Sequence, residues 1–154
     1  LNLEPSPWDG GWTRRLFHHQ EILEDDRPLA SVSYQLLTRH DVAQMHRMRT
    51  NETVIHFHYG DPVALLMLDL RGKGEMLTLE SHPTSESQAA VVIPRGYWRG
   101  GSLVPERIHH GFSLLTVTTS PGFLAEDFEM GHRSDLITAF PAFAEIITRL
   151  SRSD

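Results

Sequence analysis

The chain contains no cysteine, so no disulfide, thiolate metal ligand or cysteine nucleophile takes part in its stability or chemistry. That fits a reducing compartment. No apolar run approaches the roughly 18 residues that a membrane-spanning helix needs, and Leu1 to Gly11 has neither the basic stretch nor the apolar core of an export signal. A soluble, cytoplasmic protein with no membrane partner is therefore expected. Basic residues cluster no further than pairs such as Arg14-Arg15, and the formal net charge is -6, so the electrostatic footprint of a nucleic-acid binder is missing. There is no Gly-x-Ser-x-Gly elbow to mark a serine nucleophile, and no repeat or low-complexity linker.

What is present is ordinary globular composition, 40% hydrophobic and 22% charged over 154 residues. A chain of that length buries roughly two-thirds of its unfolded surface around one core. A single domain over residues 1–154 is expected, with strands over about 12–120 and a C-terminal helical segment over about 134–150.

The apolar segments are of strand length: Ser31 to Leu37, Thr53 to Tyr59, Ala64 to Leu70, Glu75 to Leu79, Ala89 to Ile93 and Phe112 to Thr118. Between them stand turn formers, among them Gly60-Asp61-Pro62, Arg71-Gly72-Lys73-Gly74, Pro94-Arg95-Gly96, Gly100-Gly101 and Pro121-Gly122. Short strands with regular turns predict an all-β sandwich or barrel. Near the end, Ser134-Asp135 caps a short predicted helix, and Pro141 opens another whose Phe143, Ile146, Ile147 and Leu150 share one face. This second helix is expected to pack on the barrel wall.

The densest chemistry lies between His46 and Gly60, which holds His46, Glu52, His56 and His58. On a strand that starts by Glu52, residues two apart share a face, so Glu52, Val54, His56 and His58 are expected to point together into the interior. Two imidazoles and a carboxylate suit iron, manganese, nickel or zinc and leave positions open for substrate, with His46 completing the set. Ten histidines in the chain make close pairs common, and a hydrogen-bonded pocket histidine is the competing reading. Thr53, Ile55, Phe57 and Tyr59 would then face outward, too apolar for a solvated row. With Ala64 to Leu68 apolar on both faces, the cover is expected from the terminal helices or a second subunit, and a homodimer is favoured.

These residues resemble the cupin superfamily, whose first motif runs His-x-His, three or four residues, Glu, then a strand ending at Gly, and whose second is Pro-x-Gly, two residues, His. His46 matches the first His, Met48 occupies the second, Glu52 matches the Glu, and Gly60 closes the strand. Pro94-Arg95-Gly96 matches the second motif, with Arg99 in the place of its His. A thioether and a permanent cation thus replace two usual ligands, and a guanidinium has no lone pair for a metal.

The whole chain is similar to the family called cupin-5. Pro7-Trp8-Asp9-Gly10-Gly11-Trp12, Ser33-Tyr34-x-Leu36-Leu37, His46-Arg47-Met48, His56-Phe57-His58, Pro94-x-Gly96-x-Trp98, Pro121-Gly122-Phe123 and Asp127-Phe128-Glu129 follow in its order. Asn51 stands for its usual acidic residue, Ile55 for a Trp, and Arg99 for a Gln or similar polar residue. The resemblance implies a double-stranded β-helix, or jelly roll, with short C-terminal helices, often dimeric, and a pocket between two sheets.

The expected function is that of a cupin-type enzyme on a small polar or anionic molecule, by acid/base isomerisation, epimerisation, dehydration or cyclisation. His46, Glu52, His56 and His58 are the candidate acids and bases, and Arg99, Trp98, Tyr34 and Met48 the candidate substrate contacts. Arg99 would grip a carboxylate or phosphate bidentately. His46, Glu52 and His58 are the candidate ligands of a divalent transition metal. A barrel that binds a small ligand without chemistry is the alternative. Dioxygenation at non-haem iron, which needs an intact metal face, ranks below both.

Overall fold

Alternation along each strand sorts side chains onto two faces, and the apolar face of one sheet closes on that of another. The computed structural model describes residues 1–152 and shows this in two antiparallel sheets. The larger has the lateral order β1 (Glu4–Pro5), β2 (Trp12–His18), β3 (Ser31–Thr38), β10 (Phe112–Ser120), β5 (Glu52–Gly60), β8 (Ala90–Ile93). The smaller runs β11 (Phe128–Met130), β4 (Ala43–Met48), β9 (Trp98–Leu103), β6 (Val63–Leu68), β7 (Gly74–Leu79). The expected all-β jelly roll is present, and among the described residues no helix is long and apolar enough to cross a membrane.

The core lies between the sheets. Leu37 of β3, Ile55 and Phe57 of β5, Leu65 of β6, Leu103 of β9 and Leu115 of β10 are buried there. Leu66 and Leu68, alternating with Leu65 and Met67 on β6, turn to the other side of the smaller sheet. The C-terminal helices α1 (Arg133–Ala139) and α2 (Ala144–Arg149) cover them with Leu136, Phe140, Ile147 and Leu150. The apolar second face of β6 is thus explained within one chain. α1 starts two residues earlier than its expected cap, after His132, and Asp135 falls in its first turn, where a carboxylate complements the helix dipole.

Two expectations need correction. Gly100-Gly101 is not a turn but the middle of β9. A Cβ on Gly100 would lie 2.9 Å from the Ala43 carbonyl oxygen, and one on Gly101 2.9 Å from that of Ala64, so glycine here lets β4 and β6 approach β9 closely. The second correction concerns β5, whose facing is inverted. Thr53, Ile55 and Phe57 are buried, whereas His56 and His58 are exposed and Glu52 lies at the outer edge. Burying Ile55 and Phe57 is worth about 1.5–3 kcal/mol each, while burying Glu52 and two imidazoles would cost desolvation, so the pleat turns the apolar row inward. The inference of a partner subunit from an outward Ile55–Phe57 row falls with it.

Candidate functional site

His46 reaches the interior through an irregularity in β4. Its partner on β9 is Arg99 and that of Ala43 is Gly101, so three steps on β4 face two on β9. The extra residue is a bulge, and it lets Ala43 and His46, which regular alternation would put on opposite faces, both face the interior. Met48, two residues on, does the same. The second motif places Arg99 beside His46 on the neighbouring strand.

These side chains line a cavity of about 300 Å³ between the sheets. Leu37, Ile55, Leu65 and Leu115 supply apolar wall; Ser31, Ser33, Gln35 and Thr119 supply hydroxyls and an amide; Tyr34 borders it. The exposed Pro7, Trp8 and Arg15 form part of its rim. Trp8 packs against Phe123 and Phe128, with ring centroids 5.2 and 5.4 Å apart.

Within the cavity His46 is held on two sides. Its ring stacks on Phe128 at 5.1 Å, and Nδ1 lies 2.7 Å from the Gln44 carbonyl oxygen. Only a protonated Nδ1 can donate to a carbonyl, so in the neutral ring Nε2 keeps its lone pair. Burial, and then the positive charge of Arg99, push its pKa down to about 4, against the opposing pull of Asp9 and the Gln44 carbonyl. Nε2 lies 3.9 Å from Oδ2 of Asp9.

Asp9 arrives from the N-terminal loop. Gly10 and Gly11 both have positive φ, the Gln44 amide donates to the Asp9 carbonyl at 2.6 Å, and a Cβ on Gly10 would lie 2.5 Å from the Val42 carbonyl oxygen. Only glycine folds this loop so tightly over the barrel. The Asp9 carboxylate accepts from Ser6 Oγ at 3.0 Å and Gln35 Nε2 at 2.9 Å.

Arg99 is 5% exposed, and its hydrogen bond is donated to Thr53 Oγ1 at 3.2 Å. Among the described residues no carboxylate comes within 4.0 Å of it. Burial pulls its pKa down to about 10, partly offset by Asp9, so it stays a cation at neutral pH. The cavity therefore presents a charged, underused five-donor fork beside an imidazole lone pair and a carboxylate.

Of the expected site residues, His46, Met48 and Arg99 come together here, with Tyr34 at the border. Glu52, His56 and His58 do not. Glu52 accepts from the Arg95 amide and Nε, both at 3.0 Å, and so fixes the Pro94–Gly96 turn. His58 Nε2 lies 2.8 Å from Thr116 Oγ1 on the exposed side. Trp98 is also outside the cavity: it sits on the helix side of β9, with the Arg47 guanidinium 4.5 Å from its ring centroid. Asp9 and Gln35 were missed, although the Asp-Gly-Gly turn was the available signal.

The proposed metal set of His46, Glu52 and His58 is split between the inside and outside of the barrel. Among the described residues no three His, Asp or Glu side chains converge as a metal site. The cavity offers one imidazole and one carboxylate beside a buried guanidinium that repels cations, a donor set that does not fit a divalent metal.

Residues 1–131 match the family model described as Cupin superfamily (DUF985). A solved protein from Shewanella oneidensis is 26% identical, with 99% of this chain and 92% of that one covered at a TM-score of 0.89. A protein from Leishmania major is 22% identical over 98% and 94% of the two chains, TM-score 0.87. A dTDP sugar isomerase from Desulfovibrio desulfuricans shares the fold at 15% identity, covering 84% and 80%, TM-score 0.56. Oxalate decarboxylase from Bacillus subtilis does so at 13%, covering 99% of this chain and 38% of that one, TM-score 0.58. No curated protein sequence matches the chain.

Proposed function

From the premise that the chain belongs to this DUF985 family of the cupin superfamily, we propose that its barrel binds a small organic anion and moves a proton on it. The observation that carries this reading is Arg99, buried with no carboxylate within 4.0 Å among the described residues. A buried cation that only the more distant Asp9 partly offsets is costly, and an incoming carboxylate or phosphate supplies a contacting charge in bidentate geometry.

A proton on the ligand next to that anion then lies near the Nε2 lone pair of His46. Transfer gives an imidazolium whose Nδ1–H stays on the Gln44 carbonyl and whose charge is balanced by Asp9, 3.9 Å away. The negative charge that develops on the ligand rests against Arg99. Return of the proton to another atom or the other face isomerises or epimerises the ligand; loss of a leaving group dehydrates it, and internal attack cyclises it. The bound anion also offsets the repulsion from Arg99 that weakens His46 as a base. Two fold neighbours are named for anionic substrates, a dTDP sugar and oxalate.

Arg99→Met should bind carboxylates and sugar phosphates about 100-fold more weakly than the wild type in calorimetry, the loss of one charge-assisted bidentate contact. His46→Asn should keep binding and lose exchange of ligand C–H for deuterium in heavy water. Unchanged anion binding by Arg99→Met would remove the reading. The low proton affinity of His46 favours a second one, a barrel that holds its ligand without chemistry. Tight binding with no deuterium exchange in the wild type would select it.

We infer further that a second copy covers the outer face of the larger sheet. There Val92, Val54, Thr118, Val32 and Phe17 form one continuous cross-strand row, and Phe17 and Val92 are 49% and 59% exposed. Light scattering should give twice the chain mass for the wild type and a single mass for Val54→Asp; a monomeric wild type would rule the pairing out.

A further inference from the structure

The side chains around Arg99 are graded in polarity by strand register. Along β9 the inward positions are Arg99, Gly101 and Leu103. Gly101 has no side chain, and its neighbours in register are Leu65 on β6 and Ala43 on β4. Beside the charged row thus lies a row with one large side chain out of three, which leaves an alcove.

The facing sheet repeats the gradient. Thr119 pairs with Ser31 on one side and Thr53 on the other, a hydroxyl row, and Thr53 is the residue that Arg99 touches. Val117 pairs with Ser33 and Ile55, and Leu115 with Gln35 and Phe57, so beyond the hydroxyl row each row carries two apolar side chains to one polar one. At the alcove end the polar side chain of the row is Gln35, whose amide is already given to Asp9 at 2.9 Å, so hydroxyls along the length of a sugar would find few partners there.

We infer that the ligand is an amphipathic monocarboxylate, with its carboxylate on Arg99 and a compact aliphatic or aryl body in the alcove between Ala43, Gly101, Leu65 and Leu115. The inference rests on the reading of Arg99 as an anion site. It narrows the substrate class from any small anion to acids whose non-reacting part is apolar, and it assigns chain-length selection to Ala43, whose side chain is the smallest on the alcove wall after Gly101.

The test is a calorimetric series on the full chain with acetate, butanoate, hexanoate and phenylacetate, against gluconate and glucose 6-phosphate. Affinity is expected to rise roughly fourfold per added methylene from acetate to hexanoate, with gluconate, of the same carbon count as hexanoate but hydroxylated, at least 10-fold weaker. Ala43→Leu should weaken hexanoate more than 10-fold and leave acetate within about twofold, while Leu115→Ala should extend the favourable series to octanoate. Equal or tighter binding of gluconate or glucose 6-phosphate overturns the amphipathic ligand and leaves the anion site standing. Failure of every anion in the panel overturns both.

Discussion

Two arginines are buried in this chain to almost the same degree, Arg27 at 6% and Arg99 at 5% exposure, and the molecule treats them in opposite ways. Arg27 donates to Asp25, to Asp127 at 2.6 Å and to Thr50 Oγ1 at 2.7 Å. Burial alone would lower its pKa, but Asp127 and Asp25 outweigh that and raise it. Arg99 donates to a threonine hydroxyl, and burial outweighs the pull of Asp9, so its pKa falls. Arg27 ties the loop before β3 to the β4–β5 turn and the chain after β10. Arg99 makes a single tie, its hydrogen bond from β9 of one sheet to Thr53 on β5 of the other. A buried charge with contacting counter-charges in the chain serves the fold; one with a single hydroxyl in contact is the one we propose serves a ligand.

The largest expected effect is the cost of making the same substitution at both. Arg27→Met strands Asp127, itself 5% exposed, and should cost about 3–5 kcal/mol in denaturant melts. Arg99→Met leaves the Thr53 hydroxyl without its donor and removes a cation that Asp9 offsets only in part, so it should leave stability unchanged or raise it by about 1 kcal/mol. Equal losses at the two positions would make Arg99 a structural residue and break the contrast.

The same contrast explains what was legible in the sequence. His46, Met48 and Arg99 could be placed because their spacing to Glu52, Gly60 and Pro94-x-Gly96 follows a motif that fixes strand order. Strands with clear alternation, such as β3 and β10, could be placed from apolar periodicity alone. β9 could not, because Gly100 and Gly101 carry the signature of a turn, and their actual reason, the close approach of Ala43 and Ala64 carbonyls from two neighbours, exists only in the assembled sheet. The facing of β5 was misread because both of its rows are mixed: Val54 accompanies the histidines and Thr53 accompanies Ile55 and Phe57. Register is settled by which row the core accepts, a tertiary quantity. Asp9 escaped because its partners Gln35 and His46 lie far along the chain, although its Gly-Gly turn was in plain view.

The smaller effect concerns His46, which feels Arg99 directly. Its pKa falls from an ordinary 6.5 to about 4 in the folded chain, through burial first and Arg99 second. Between those values the unfolded chain binds a proton that the folded one refuses, so this group's contribution to stability is complete above about pH 6.5 and lost as pH falls toward 4. The loss amounts to ~3 kcal/mol at most, and the difference in melting free energy between wild type and His46→Asn should carry it. Nothing comparable is expected from Arg27, which pairs with Asp127 and Asp25 and stays charged across this range. A carboxylate bound at Arg99 cancels the second cause of the shift, so saturating ligand should move the protonation of His46, followed by the NMR shift of its ring carbon protons, to higher pH. If the ring titrates near 6.5 without ligand, the cavity is wet and Arg99 does not press on His46; if ligand moves it no further, the two residues do not share a site.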